Sequence, residues 1–401
     1  MRLSLALAAS VALLASPAAA QSRWAPAWLF PPSSNEGPVA PPRIPAPGAR
    51  PDPRGPIGPT VVRDATLTQM FQVAAAGERV RLRVSNDHGT APLRLGSVIL
   101  TRAGEDGHAG TDATPLTFDG QGAVALPAGS SRLSDPVSLP VRALERLTVT
   151  VTYLGEAILP AHVVRQWMTT QAEPAPVGMR LGAVASGLEV ETDRALPVIV
   201  IFGDSITEGV GSTPGAGGWP EAFNARMIEA GADWTVLNAG IGGNRVLHQG
   251  TGPSALGRLD SDVLAIADVR CMILMEGIND IGRPTIAAYS HEAIDADDLI
   301  AGYRQIIERA HARGLRVIGV TLTPFEGAHY YSTGGEAIRQ AVNAFIRTPG
   351  AFDAMLDFDA LIRDPATPTR VRTDLQSGDW LHPSDAGYAA MAASIPLDIC
   401  D

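Results

Sequence analysis

Val198-Ile199-Val200-Ile201-Phe202 is an unbroken apolar run, the pattern of a strand covered on both faces. The rhythm after it alternates. A helical pattern lies near 218–230, and a second strand is predicted at Trp234–Leu237. Further strands are predicted at Met272–Met275 and Val317–Leu322, with a weaker one near Met355–Phe358. Helical stretches at about 298–313, 335–347 and 384–394 separate or follow them. This β-α-β order implies a parallel sheet with helices on both faces, over residues 190–401. Upstream the period changes. Val80-Arg81-Leu82-Arg83-Val84 alternates with period two, and short apolar or alternating runs follow at 93–100, 123–126 and 147–153. Turn residues such as Asn86-Asp87-His88-Gly89 bound them. Residues 61–175 therefore read as a small antiparallel β-sandwich. Arg79, Arg81 and Arg83 read as its solvated strand face.

Residues 21–60 are rich in proline and read as a linker or extended strap rather than a helix. Trp24 and Trp28, near its start, are expected to dock on a folded surface. Residues 1–20 read as a signal peptide: Arg2 is the positive start, Leu3–Leu14 the apolar stretch, Ala18-Ala19-Ala20 the small-residue cleavage pattern. No Cys follows that pattern to take a lipid, and no later segment is apolar enough to cross a membrane. An exported protein, periplasmic or extracellular, is expected. Its only cysteines, Cys271 and Cys400, are then either a disulfide or two buried thiols.

Composition removes several chemistries. The net charge is −11 and no basic cluster stands out, which argues against a nucleic-acid partner. Every basic residue other than His is Arg. Without lysine there is no P-loop, no Schiff base and no Ser-x-x-Lys hydrolase.

Functional groups of such sheets gather at the carboxyl ends of the strands. Gly203-Asp204-Ser205-Ile206-Thr207 follows the first strand, Asn238-Ala239-Gly240-Ile241-Gly242-Gly243-Asn244 the second, and Gly277-Ile278-Asn279-Asp280 the third. Asp379-Trp380-Leu381-His382-Pro383 precedes the last helix. Together they supply the parts of acyl transfer. Ser205 is the candidate nucleophile and His382 its base. Asp379, three residues before His382, can fix the imidazole tautomer. The backbone N–H groups of Ser205 and Gly243 and the Asn279 amide are candidate oxyanion donors. Rival motifs fail: there is no Gly-x-Ser-x-Gly elbow, no G-x-G-x-x-G, and no second His after His291-Glu292 at zincin spacing. Asp295, Asp297 and Asp298 read as the cap of the following helix. No metal-ligand cluster is apparent.

The four segments resemble the sequence blocks of the SGNH/GDSL hydrolase family. Ser205 matches the block I serine, Gly243 the block II glycine, Asn279 the block III asparagine, and Asp379 with His382 the block V pair. Ile206 stands where the family name has Leu. The resemblance implies a flavodoxin-like three-layer α/β/α fold, no metal and no cofactor. It implies esterase or lipase activity on acetylated sugars, lysophospholipids, thioesters or aryl esters. Val84-Ser85-Asn86 with Gly89, and Ser134-Asp135-Pro136-Val137, are similar to the β-sandwich that precedes this domain in exported bacterial members. Such members resemble carbohydrate esterases, so a small ester or acylated glycan is the expected substrate. The alternatives are a lysophospholipase or arylesterase, and a non-catalytic carbohydrate-binding protein.

Two expectations concern placement. Asp204, Trp219, Asn244, Arg245 and His248 follow strand ends on the catalytic side and are expected near the substrate. Cys271 opens the third strand, at the amino end of the sheet. The helix after His382 should run back to that end and bring Cys400 with it. Whether the sulfurs meet is left open by this topology.

Overall fold

The computed structural model describes residues 22–34, 60–104, 107–162, 167–169, 181–213 and 215–401. The expected signal peptide and most of the proline-rich strap lie outside the described residues.

Two antiparallel sheets and a ribbon form the N-terminal part. The first sheet contains β1 (Arg23–Leu29), β13 (Ala185–Thr192), β4 (Gly77–Asn86) and β8 (Ser130–Leu133) in that order, with β9 (Val137–Val141) also on β4. The second runs β12 (Trp167–Thr169), β3 (Thr66–Gln72), β10 (Arg146–Tyr153), β5 (Leu93–Arg102) and β6 (Thr114–Pro115), with β7 (Val124–Leu126) on β5. Strands β2 (Thr60–Arg63) and β11 (Glu156–Leu159) make the ribbon. Period-two alternation sends Val80, Leu82 and Val84 from one sheet and Leu147, Val149 and Val151 from the other into a shared core. The opposite face of β10 carries threonines that pair with threonines across the sheet, as in Thr68–Thr150 and Thr101–Thr148. Arg79, Arg81 and Arg83 are not a bare solvated face. They pair with Glu191, Glu189 and Asp87, and Arg81 also lies over the Trp24 ring.

Residues 23–29 differ from a plain strap. They form an edge strand on β13, with a register shift between Pro26 and Trp28. An edge tolerates a proline that donates no hydrogen bond. Trp28 stacks on Phe71 with ring centroids 4.0 Å apart, which anchors the segment on the second sheet.

The C-terminal part is a five-stranded parallel sheet, ordered β15 (Thr235–Gly240), β14 (Val198–Gly203), β16 (Val269–Met275), β17 (Arg316–Val320) and β18 (Ala354–Leu356). Side chains alternate between two cores. Val198, Val200 and Phe202 of β14 face one layer, with residues of α3 (Ala255–Leu259), α5 (Ala296–His311) and α6 (Thr333–Arg347). Ile199 and Ile201 face the other, with α2 (Trp219–Glu229), α7 (Phe358–Ile362) and α8 (Asp385–Ser394). This is a three-layer α/β/α fold. Asp295 and Asp298 form a capping box on α5, as the acidic run predicts. The chain leaves β14 to one side for β15 and returns on the other for β16. The strand order thus reverses at β14, and its carboxyl end opens on the crevice where ligands bind in open α/β sheets.

Cys271 at the start of β16 is bonded to Cys400, with Cα atoms 5.8 Å apart. Among the described residues no helix is long and apolar enough to cross a membrane, and no group of three or more His, Cys, Asp or Glu is placed to hold a metal ion.

Candidate active site

Strand β14 ends at Gly203, and the chain turns at once into the single-turn helix α1 (Ser205–Glu208). Asp204 caps this helix by accepting from Ile206 N at 2.9 Å. The turn therefore presents Ser205 at the sheet edge. Gly240, at the end of β15, lies against it: a Cβ there would meet Glu208 N and the Thr207 carbonyl carbon. Glycine lets the two strand ends close on each other.

Ser205 Oγ is 2.8 Å from His382 Nε2, and His382 Nδ1 is 2.6 Å from Asp379 Oδ2. The other Asp379 oxygen accepts from Leu381 N at 3.0 Å and His382 N at 2.9 Å. One turn thus holds both ends of the pair. Burial works to raise the Asp379 pKa, but the hydrogen bond and charge of His382 and these two backbone N–H groups win, holding it well below the usual carboxylate range. Asp379 is an anion wherever the protein is folded near neutrality.

Three candidate donors, from Ser205, Gly243 and Asn279, follow the carboxyl ends of β14, β15 and β16. Gly243 has φ +76°, and a side chain there would collide with the Arg283 guanidinium. Neither Ser205 N–H nor Gly243 N–H donates to an acceptor among the described residues. Asn279 opens α4 (Ile278–Gly282). Its Nδ2 donates to the Asn244 carbonyl at 2.9 Å, and its Oδ1 accepts from Tyr330 OH at 3.2 Å. That pair of bonds fixes the amide rotamer and leaves one N–H of Nδ2 to spend.

Arg258 ties the strand ends together from below. Its buried guanidinium donates to Gly203 O and Ala239 O, each at 2.8 Å, and its Nε to Asn244 Oδ1 at 2.9 Å. Asp204, Glu276 and Asp262 lie within its field, and Asp280, which feels Arg245 instead, repels Asp204 and Glu276. One guanidinium does not neutralise three buried acids with a fourth beside them. Burial, and for Asp204 also the nearby acids, pushes Asp204 up to about 7, Asp280 up to about 6, and Glu276 well above its ordinary value.

The structure joins Ser205 to the Asp379–His382 turn, 177 residues away from it at His382, and ties Asn279 to the Asn244 carbonyl next to Gly243. It treats the expected substrate contacts differently. Trp219 is fully buried on α2, edge-on to Phe358 at 5.3 Å, and packs the core rather than the pocket. Asp204 is a buried cap. The Asn244 side chain points inward, to Pro253 O and Arg258. Arg245 is buried against Glu292 and Gln249 O, and His248 is half-buried nearby. Sequence reasoning missed Arg258, Tyr330 and Arg283, since a lone Arg or Tyr on a helix or loop carries no motif. It also passed over Trp380, a half-exposed indole between Asp379 and His382 at φ +61°, packed over Gly327.

The GDSL-like lipase/acylhydrolase family model matches residues 201–390. Among solved structures, an acetyl xylan esterase is 23% identical, aligned over 49% of this chain and 96% of its own, with a TM-score of 0.39. An acetylxylan esterase from Geobacillus stearothermophilus is 20% identical over 49% and 91%, at 0.39. A GDSL-like lipase from Bacteroides thetaiotaomicron is 19% identical over 50% and 89%, at 0.38. No curated protein matches the chain. Residues 201–390, which hold Ser205, Gly243, Asn279, Asp379 and His382, are the part of this chain that matches the GDSL-like lipase/acylhydrolase family.

Proposed function

We propose that this protein is a serine esterase that cleaves carboxylic esters through an acyl-enzyme. The observation that carries this reading is the unbroken relay from Asp379 through His382 to Ser205 Oγ, together with the Ser205 and Gly243 N–H groups, which meet no acceptor among the described residues. Neutral His382 takes the Ser205 proton as Oγ attacks the ester carbonyl carbon. Asp379 stabilises the imidazolium. The oxyanion is met by the N–H groups of Ser205 and Gly243 and the remaining N–H of Asn279 Nδ2. Collapse expels the alcohol with the proton from His382. Water, deprotonated by the same histidine, then releases the acid and restores Ser205.

Acylated carbohydrate is the substrate class we assign. Trp380 supports it: a half-exposed indole within two residues of both Asp379 and His382 is a surface on which a sugar ring can stack. Export, read from residues 1–20, is supported by the Cys271–Cys400 bond, which persists in oxidising compartments. The test is a parallel assay on p-nitrophenyl acetate, acetylated xylan and lysophosphatidylcholine. Release of acetate from the first two supports the reading. Turnover of the lysophospholipid alone would move the assignment to a lysophospholipase, and no turnover of any ester would remove it.

A further inference from the structure

The loop carrying Gly243 is bordered by two guanidinium groups that the reaction above does not use. Arg283 follows Asn279 by one helical turn, so both project from the same side of that helix. Its Nη2 donates to Gly243 O at 3.0 Å. Among the described residues it makes no other hydrogen bond and no ion pair, although it is only 7% exposed. Arg245, 1% exposed, pairs with Glu292 and donates to Gln249 O, while its Nε has no partner among the described residues.

The two groups converge. A Cβ built on Gly250 would lie 3.3 Å from Arg283 Nη1, 3.6 Å from Arg245 Nη2 and 3.9 Å from Arg245 Nε. The Tyr289 ring contacts both guanidiniums, at 5.5 Å and 5.9 Å. Thr251 Oγ1 is buried without a partner among the described residues, and would lie 3.0 Å from a Cβ on Gly243. Among the described residues Glu292 is the carboxylate paired with Arg245, Asp280 also lies within the field of Arg245, and Arg283 has no ion pair. Burial and the charge of Arg245 lower the Arg283 pKa, outweighing the opposing effect of Glu292. Buried charges are paired in stable proteins, and a buried donor without an acceptor costs free energy. Gly250, against which both guanidiniums pack, is exposed, and Gly243 is half-buried, so the loop beside these donors meets solvent.

We propose that Arg283, Arg245 and Thr251 form an anion subsite beside the oxyanion donors, and that it takes a carboxylate carried by the substrate. The acylated glycan would then be an acidic one, containing uronic acid. This rests on the esterase reading for its placement. A carboxylate fits better than a phosphate because the free edge of Arg283, with a hydroxyl beside it, suits a planar anion.

Titration calorimetry on the full-length protein tests the subsite without turnover. The probes are D-glucuronate, its neutral amide D-glucuronamide, and inorganic sulfate. Glucuronate should bind at least about tenfold more tightly than the amide, with the gap narrowing as salt rises. Arg283→Gln should bring the ratio close to one. Thr251→Val, which keeps both arginines, should reduce it severalfold. Equal binding of acid and amide, no binding of either, an undiminished ratio in folded Arg283→Gln, or sulfate bound as tightly as glucuronate would each overturn the proposal. Turnover of p-nitrophenyl acetate by the same preparation reports separately on the esterase reading. Turnover without acid selectivity sinks only the subsite, and selectivity without turnover sinks only the esterase.

Discussion

Asn279→Ala separates the chemistry of the candidate oxyanion hole from its architecture. The asparagine has two duties in the structure. Its Nδ2 and Oδ1 bond to the Asn244 carbonyl and Tyr330 OH, and its second Nδ2 hydrogen is the one available to the reaction. Losing one preorganised side-chain donor costs about 10²–10³ in kcat, equivalent to roughly 3–4 kcal/mol of transition-state stabilisation. Losing the two structural bonds costs more than the sequence alone suggests. Each is worth about 0.5–1.5 kcal/mol net, and the Tyr330 hydroxyl is left buried without its acceptor, so a destabilisation of about 2–3 kcal/mol is expected. Steady-state kinetics on p-nitrophenyl acetate and urea unfolding followed by circular dichroism read the two effects independently. KM should change little, because the donor acts on charge that develops only in the transition state. A folded variant with kcat within about threefold of the parent would refute this role for Asn279.

Two further predictions concern stability. Asp204 and Asp280 hold protons in the folded state up to about pH 7 and about pH 6. The unfolded chain gives them up near pH 4, so these groups make stability fall as pH rises from about 4 to 7. Asp379 acts in the opposite sense: its contribution is present above about pH 4 and is lost as pH falls below that. Asp204→Asn keeps the cap on Ile206 and should flatten the decline between about pH 4.5 and 7.5 in urea unfolding; an unchanged slope would contradict the buried-acid account. The disulfide spans 129 residues, so Cys400→Ser should cost up to about 4–5 kcal/mol in the chain-entropy view, and often less. Titration of the denatured, unreduced protein should find no free thiol, and two per chain would refute the bond.

The parallel sheet was legible because β14 and β16 are buried on both faces and so read as continuous apolar runs. The candidate site residues were legible because each sits in a short segment at a strand end or before the last helix, in a fixed order. Residues 23–29 read as part of an extended strap, but their pairing with β13 left no sequence signal, since the Pro26 at the bulge suits an edge strand and a strap alike. Trp219 was misplaced because its position after a strand end says nothing about the face it takes on α2. The tie from Arg258 to Gly203, Ala239 and Asn244 left no trace at all. It joins residues between 14 and 55 positions apart, and no local pattern encodes such a meeting.

The central claim is that Ser205 is the nucleophile. The most direct measurement is turnover of Ser205→Ala alongside labelling of the parent by a serine-reactive phosphonate, with the modified residue located by peptide mass spectrometry. The account predicts a loss of several orders of magnitude in kcat, because members of such a relay act as a unit, and a single adduct on Ser205. Near-normal turnover by the folded alanine variant, or an adduct on another serine, would contradict it.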